Sequence, residues 1–178
     1  MTVDYGPLAQ LIGTYKGDKG MDVAPDPDGK EENPFSETIV FTASGTVTNA
    51  EEQTLAVVHY HLIVTRKTDK AVIHNQTGYW MWDKETDEVI QSIAIPRAVC
   101  LLATGKAKTG SDGEVVIDVS TDESGIVQAS FMHKKAKTTS FKQTMTLKGN
   151  ELHYFETTMV DIYGNSFEHT DTNTLVKQ

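Results

Sequence analysis

The sequence predicts an all-β protein, an antiparallel up-and-down barrel of about ten strands with a short N-terminal helix. Three observations carry this. From Phe35 onward, short runs rich in β-branched and aromatic residues are separated by Gly, Asn and Asp turn signals at fairly regular intervals. No segment holds a long helical period. Nothing along the 178 residues reads as a linker, an internal repeat or a low-complexity tract, so 1–178 is expected to form one domain.

The opening "YGPLAQLIG" places Leu8, Leu11 and Ile12 at helical spacing and stops at Gly13, enough for a plug at one end. "GTYKGDKGMDVAP" is glycine-punctuated and extended. The polar, proline-bearing stretch 25–34, "PDPDGKEENP", is expected to be a solvated loop; its acidic residues meet the order of a calcium loop only in part. Strands follow in "SETIVFTAS", "QTLAVVHYHLIVTRK", "AVIHNQTGYWMW", "VIQSIAIP", "AVCLLATGKAK" and "EVVIDVS". The series continues through "IVQASFMHK", "TTSFKQTMTLK", "ELHYFETTMVDIYG" and the C-terminal "SFEHTDTNTLVKQ". A meander of this length must hide its edges, and closure does so most completely. A barrel of about ten strands is wider than its side chains fill, so it tends to enclose a small-molecule cavity.

The net charge of −9 argues against nucleic acid and against docking on anionic membranes. The densest basic stretch, "HKKAKTTSFK" at 133–142, reads as a solvated strand or loop. The single cysteine, Cys100, permits no intrachain disulfide and is expected to be a small buried residue within "AVCLLATG". The N-terminus lacks the pattern of a signal peptide. The longest uncharged run, 53–65, is too short to span a bilayer as a helix. These features suggest a soluble, cytoplasmic protein, monomeric or homodimeric.

Phosphate loops, dinucleotide fingerprints, G-x-S-x-G and paired-cysteine zinc motifs are all absent. Chemistry therefore falls to the six histidines. His59 and His61 share one strand face, either as a metal-binding pair or as a solvent-facing pair bonded to neighbouring strands. His133 and His153 sit among polar residues expected to be strand. In "AVIHNQTGYWMW", period two puts Val72, His74, Gln76, Gly78, Trp80 and Trp82 on one face, the mixed composition of a cavity wall. At the end of the chain, Phe167, His169, Asp171, Asn173 and Leu175 share a face.

Three stretches, "LIGTYKG", "HNQTGYW" and "FEHTDTNTLVK", together resemble the nitrobindins, ferric-haem proteins with a lipocalin-like, fatty-acid-binding-protein-like barrel of ten strands. The same domain ends a human THAP-type protein, and a bacterial branch shares openings like "GDKGMDVAPDPDG". The family's G-x-W-x-G-x-G appears here as Gly13, Tyr15 and Gly17, with Lys19 at the last glycine and Gly20 one position late. The resemblance implies haem b as cofactor, with His169 as axial iron ligand and Met159 and His74 lining the pocket. Trp80 and Trp82 would add apolar walls, and Arg97 in "AIPRAVC" would stand near the rim. Asp171 and Asn173 could orient the His169 ring. Nitric oxide binding and isomerisation of peroxynitrite to nitrate are the implied activities. The alternative is a non-catalytic carrier of a fatty acid or other apolar molecule, whose carboxylate Arg97 or Lys16 could meet.

Overall fold

The computed structural model describes residues 2–178. A 3-10 helix at Gly6–Leu11 leads into β1 (Gly13–Asp26), β2 (Gly29–Asn49), β3 (Gln53–Arg66), β4 (Val72–Asp83) and β5 (Glu88–Ile95). After these come β6 (Val99–Thr109), β7 (Val115–Asp122), a three-residue β8 (Ile126–Gln128) and the helix α1 (Ser130–Lys135). The chain finishes with β9 (Ala136–Lys148), β10 (Glu151–Ile162) and β11 (Asn165–Lys177). Ten strands pair antiparallel in a ring, β1 through β7 and then β9, β10 and β11 back to β1. Among the described residues, no long strand keeps a free edge, which is the gain expected from closure. β8 lies outside the ring as a short addition to the first residues of β6.

The two ends of the barrel differ. One is plugged by the 3-10 helix, whose Leu8 and Leu11 are fully buried. They join Trp80, Trp82, Tyr15, Phe41, Ile117, Leu147, Leu152 and Leu175 in one continuous core. Tyr15 turns its hydroxyl to the Gln10 carbonyl at 2.7 Å, tying β1 to the plug. The other end is a mouth bordered by the β1–β2 hairpin, the start of β4, the β5–β6 turn and the β10–β11 turn.

Several expectations change here. The stretch 25–34 is not a loop: β1 and β2 run through it, pairing Val23 with Glu32 and Asp26 with Gly29. Gly29 sits at φ +144°, and the Asp26 carboxylate accepts from the Asp28 amide at 3.0 Å, so the turn is confined to the tip. "IVQASFMHK" is not one strand but β8 followed by α1, and His133 is helical. Cys100 is exposed, because Val99, Leu101 and Ala103 take the inward positions of β6 and alternation turns Cys100 outward. Among the described residues, no helix is long and apolar enough to cross a membrane.

Candidate site at the barrel mouth

The site begins with an irregularity in β1. Its register shifts between Gly17 and Gly20 against β2 and between Lys16 and Met21 against β11. Tyr15 faces inward before the shift, and the extra residue makes Gly20 and Asp22 the inward positions after it. The glycine that stands one position late in the sequence is the first residue paired with β2 after this bulge. Gly20 lies opposite Phe35, whose ring fills the place of a side chain: a Cβ on Gly20 would come 2.1 Å from it.

Asp22 pairs with Asn33 on β2 and with Asp171 on β11. His169 is two residues from Asp171 on the same face. The register thus brings buried Asp22 together with half-buried Asp171 and His169 near the mouth. His169 Nε2 lies 2.7 Å from Asp22 Oδ1 and 3.2 Å from Asp171 Oδ2. Asn33 donates its side-chain N–H to the second Asp22 oxygen at 3.1 Å, fixing that carboxylate. Burial alone would lower the His169 pKa, but the Asp22 hydrogen bond and the charges of Asp171 and Asp22 outweigh it, and the net shift is upward. Burial, followed by the Glu156 charge, pushes the Asp171 carboxyl well up.

Below this group the interior stays polar. Glu37, 3% exposed, accepts at Oε2 from Tyr154 (3.0 Å) and Asn173 (2.9 Å). Gln143 donates to Glu156 Oε2 at 2.7 Å, and Glu156 pairs across the sheet with Asp171. Burial raises Glu37 to about 7 and Glu156 to about 8. Glu37 Oε1 and Gln143 Oε1 are buried oxygens with no partner.

His74 reaches the mouth from β4, where its Nε2 lies 2.9 Å from Gln76 Oε1. Gln76 passes its amide N–H to the Tyr60 hydroxyl at 2.7 Å, completing the chain. Burial lowers the His74 pKa, and the charges of Arg97 and His169 add to that. Its surroundings thus favour the uncharged imidazole. A cleft of about 330 Å³ lies here, bordered by Ile73, His74, Ile95, Pro96 and Arg97. Arg97 anchors to the Ile73 carbonyl at 3.1 Å.

The other candidates lie elsewhere. Trp80 and Trp82 share the His74 face, but they stand six and eight residues along β4, roughly 20 and 26 Å away at about 3.3 Å per residue. Trp80 is in the packed core. Trp82 lies against Gly6 of the plug and donates to Asp87 at 3.1 Å. A shared face runs the full length of a barrel, so it does not imply a shared depth. Met159 pairs with Glu168, one step out of phase with the Thr158–His169 pair, and so lies on the outer face. Thr158 and Val160 take the inward positions, Val160 opposite Phe167. Asn173 turns to Glu37 rather than to His169. Lys16 is exposed on the outer wall. His59 and His61 also face outward, bonded to Thr77 (2.9 Å) and Asn75 (2.8 Å) on β4.

Asp22, Asn33, Glu37, Gln143, Glu156 and Thr158 were not singled out from sequence. Some had a signal: Glu37 falls in phase with Phe35, Ile39 and Phe41, and Glu156 with Leu152 and Tyr154. A carboxylate on an apolar period is carried inward with its neighbours and there needs hydrogen-bond partners. Asp22 had none, because its facing depends on the bulge.

The comparisons agree with this architecture. None of the curated proteins matches the chain. Among solved structures, the barrel is similar to the crystal structure of Rv2717c from M. tuberculosis, with a TM-score of 0.73 and 19% identity over 98% of this chain and 99% of that one. Residues 4–177 match the model of the THAP4-like, heme-binding beta-barrel domain. The chain belongs to the THAP4-like haem-binding β-barrel family.

Proposed function

We propose that this barrel binds ferric haem b at its mouth, with His169 as the axial ligand and a free coordination position on the His74 side. The observation that carries this is the inward-facing, half-buried His169 imidazole in a mouth that also holds His74, whose burial favours its uncharged form. The donor types fit: one imidazole for the iron, and one uncharged imidazole to meet a bound ligand. Phe167 and Val160 supply apolar contacts beside His169, and Arg97 offers a cation at the rim. The fit carries one condition: Asp22 and Asp171 stand at the nitrogen that an iron would need, so His169 gives up its Asp22 hydrogen bond when it ligates.

Haem, when bound, supplies an iron able to bind nitric oxide and to isomerise peroxynitrite to nitrate. This chain's residues hold the ring of His169, present His74 and limit the access of water. The test is a titration of ferric haem into purified protein, followed by Soret absorbance, then stopped-flow mixing with peroxynitrite. The proposal expects stoichiometric uptake and faster decay of peroxynitrite to nitrate than with free haem. Absence of uptake would overturn it; uptake without faster decay would remove the isomerase activity alone.

A further inference from the structure

The immediate surroundings of His169 Nε2 are those of a small cation. Three ligand atoms, one each from Asp22, His169 and Asp171, lie within 4.8 Å of one another. The two shortest separations, 2.7 and 3.2 Å, are close to the edges of a coordination polyhedron, about 3.0–3.4 Å for bonds of about 2.1 Å. Asn33 holds the far oxygen of Asp22, the support that ligating carboxylates usually have.

A second observation points the same way. The interior next to this group is built from buried carboxyl and amide side chains. Asp171 adjoins Glu156, and Glu156 adjoins Gln143 and lies within reach of the Glu37 charge. Glu37 Oε1 and Gln143 Oε1, both buried, have no donor. Two basic side chains act on the group from its margins, Arg97 on His169 and Arg66 on Asp22.

We propose that Asp22, His169 and Asp171 form a binding site for a divalent first-row transition ion. One imidazole and two carboxylates suit Zn²⁺, Mn²⁺, Fe²⁺ or Co²⁺ rather than an all-oxygen calcium site. Binding displaces the proton on Nε2 and replaces the His169–Asp22 hydrogen bond with two metal bonds. The ion and haem iron would use the same nitrogen, so each excludes the other. The cation site does not depend on the haem reading; only the competition does.

The experiment is a Co²⁺ titration of chelator-treated protein, followed by visible absorption, with Zn²⁺ calorimetry in parallel. One saturable site per chain is expected. Asp22→Asn, Asp171→Asn and His169→Ala should each weaken it tenfold or more. Glu168→Gln, an exposed change on the outer face, should leave it unchanged, as should His59→Ala and His61→Ala. Far-ultraviolet circular dichroism identifies any variant that fails to fold; for such a variant, loss of wild-type binding after diethylpyrocarbonate modification, read with peptide mapping of His169, replaces it. No saturable binding by wild type at about 1 mM metal would overturn the site. So would binding that survives both Asn substitutions, or loss in the His59 or His61 variant. Co²⁺ binding without haem uptake would leave this site standing and remove the haem proposal. Haem uptake without Co²⁺ binding would do the reverse.

Discussion

His169 has one nitrogen facing the mouth, and its hydrogen-bond partners set what that nitrogen can do. The Asp22 carboxylate favours the protonated imidazole, whereas iron needs it neutral. Removing the charge while keeping the shape should therefore favour haem: Asp22→Asn is expected to tighten haem binding by about tenfold, the scale on which partners of a ligating histidine act. A Soret titration checks this, and unchanged or weaker binding would contradict it. The same substitution should weaken Co²⁺ binding, so its two effects have opposite signs. At this scale the sequence was half legible. His169 and its neighbour Asp171 could be seen together, because two residues of one strand share a face whatever the partner strands do. Asp22, 147 residues away, could not. Met159 could not be faced correctly either, because its matched place in the family carries no information about the β10–β11 register that sets it opposite Glu168.

The bulge in β1 is the element that builds the mouth. It changes which residues of β1 point inward, and Gly20 allows Phe35 to pack over the strand at that point. Gly20→Ala would drive a methyl group into a fully buried ring, an overpacking cost of about 1–3 kcal/mol. Denaturant unfolding should show this loss, and a smaller Co²⁺ affinity should accompany it because Asp22 is two residues away. A variant as stable as wild type would show that the ring gives way freely. Gly17 and Gly20 were visible in the sequence as a spacing irregularity. What the spacing could not reveal was that one extra residue inverts the facing of everything after it. α1 was missed for a related reason: six residues of "SFMHKK" are too few to display a helical period.

Closure into a barrel was the most legible feature, since it follows from strand number and the need to hide edges rather than from any single contact. The interior was less so, because period two predicts which residues point inward but not how deep they lie or what they meet. The acidic interior has a consequence for the whole molecule. Glu37 and Glu156 titrate near 4.5 when unfolded but at about 7 and about 8 when folded. The folded state binds more protons between these limits, so stability falls as pH rises from about 5 to 8. His169, also shifted upward, adds to this fall, while His74, shifted downward, opposes it below its unfolded pKa of 6.5. Thermal unfolding of the metal-free protein should show a higher Tm at pH 5.5 than at pH 8.5. A Tm that rises across this range would mean that the buried carboxyls are not where the barrel places them.

Haem held at the mouth of this barrel would hang on one histidine, His169. The direct measurement is a ferric haem titration of wild type and His169→Ala, with circular dichroism on both. Wild type should take up haem stoichiometrically. His169→Ala should lose affinity by roughly a hundredfold or more, about 3 kcal/mol, with its β spectrum intact, because the half-buried ring contributes little to the core. Equal binding by the two proteins, or none by wild type, would mean that His169 does not hold haem here.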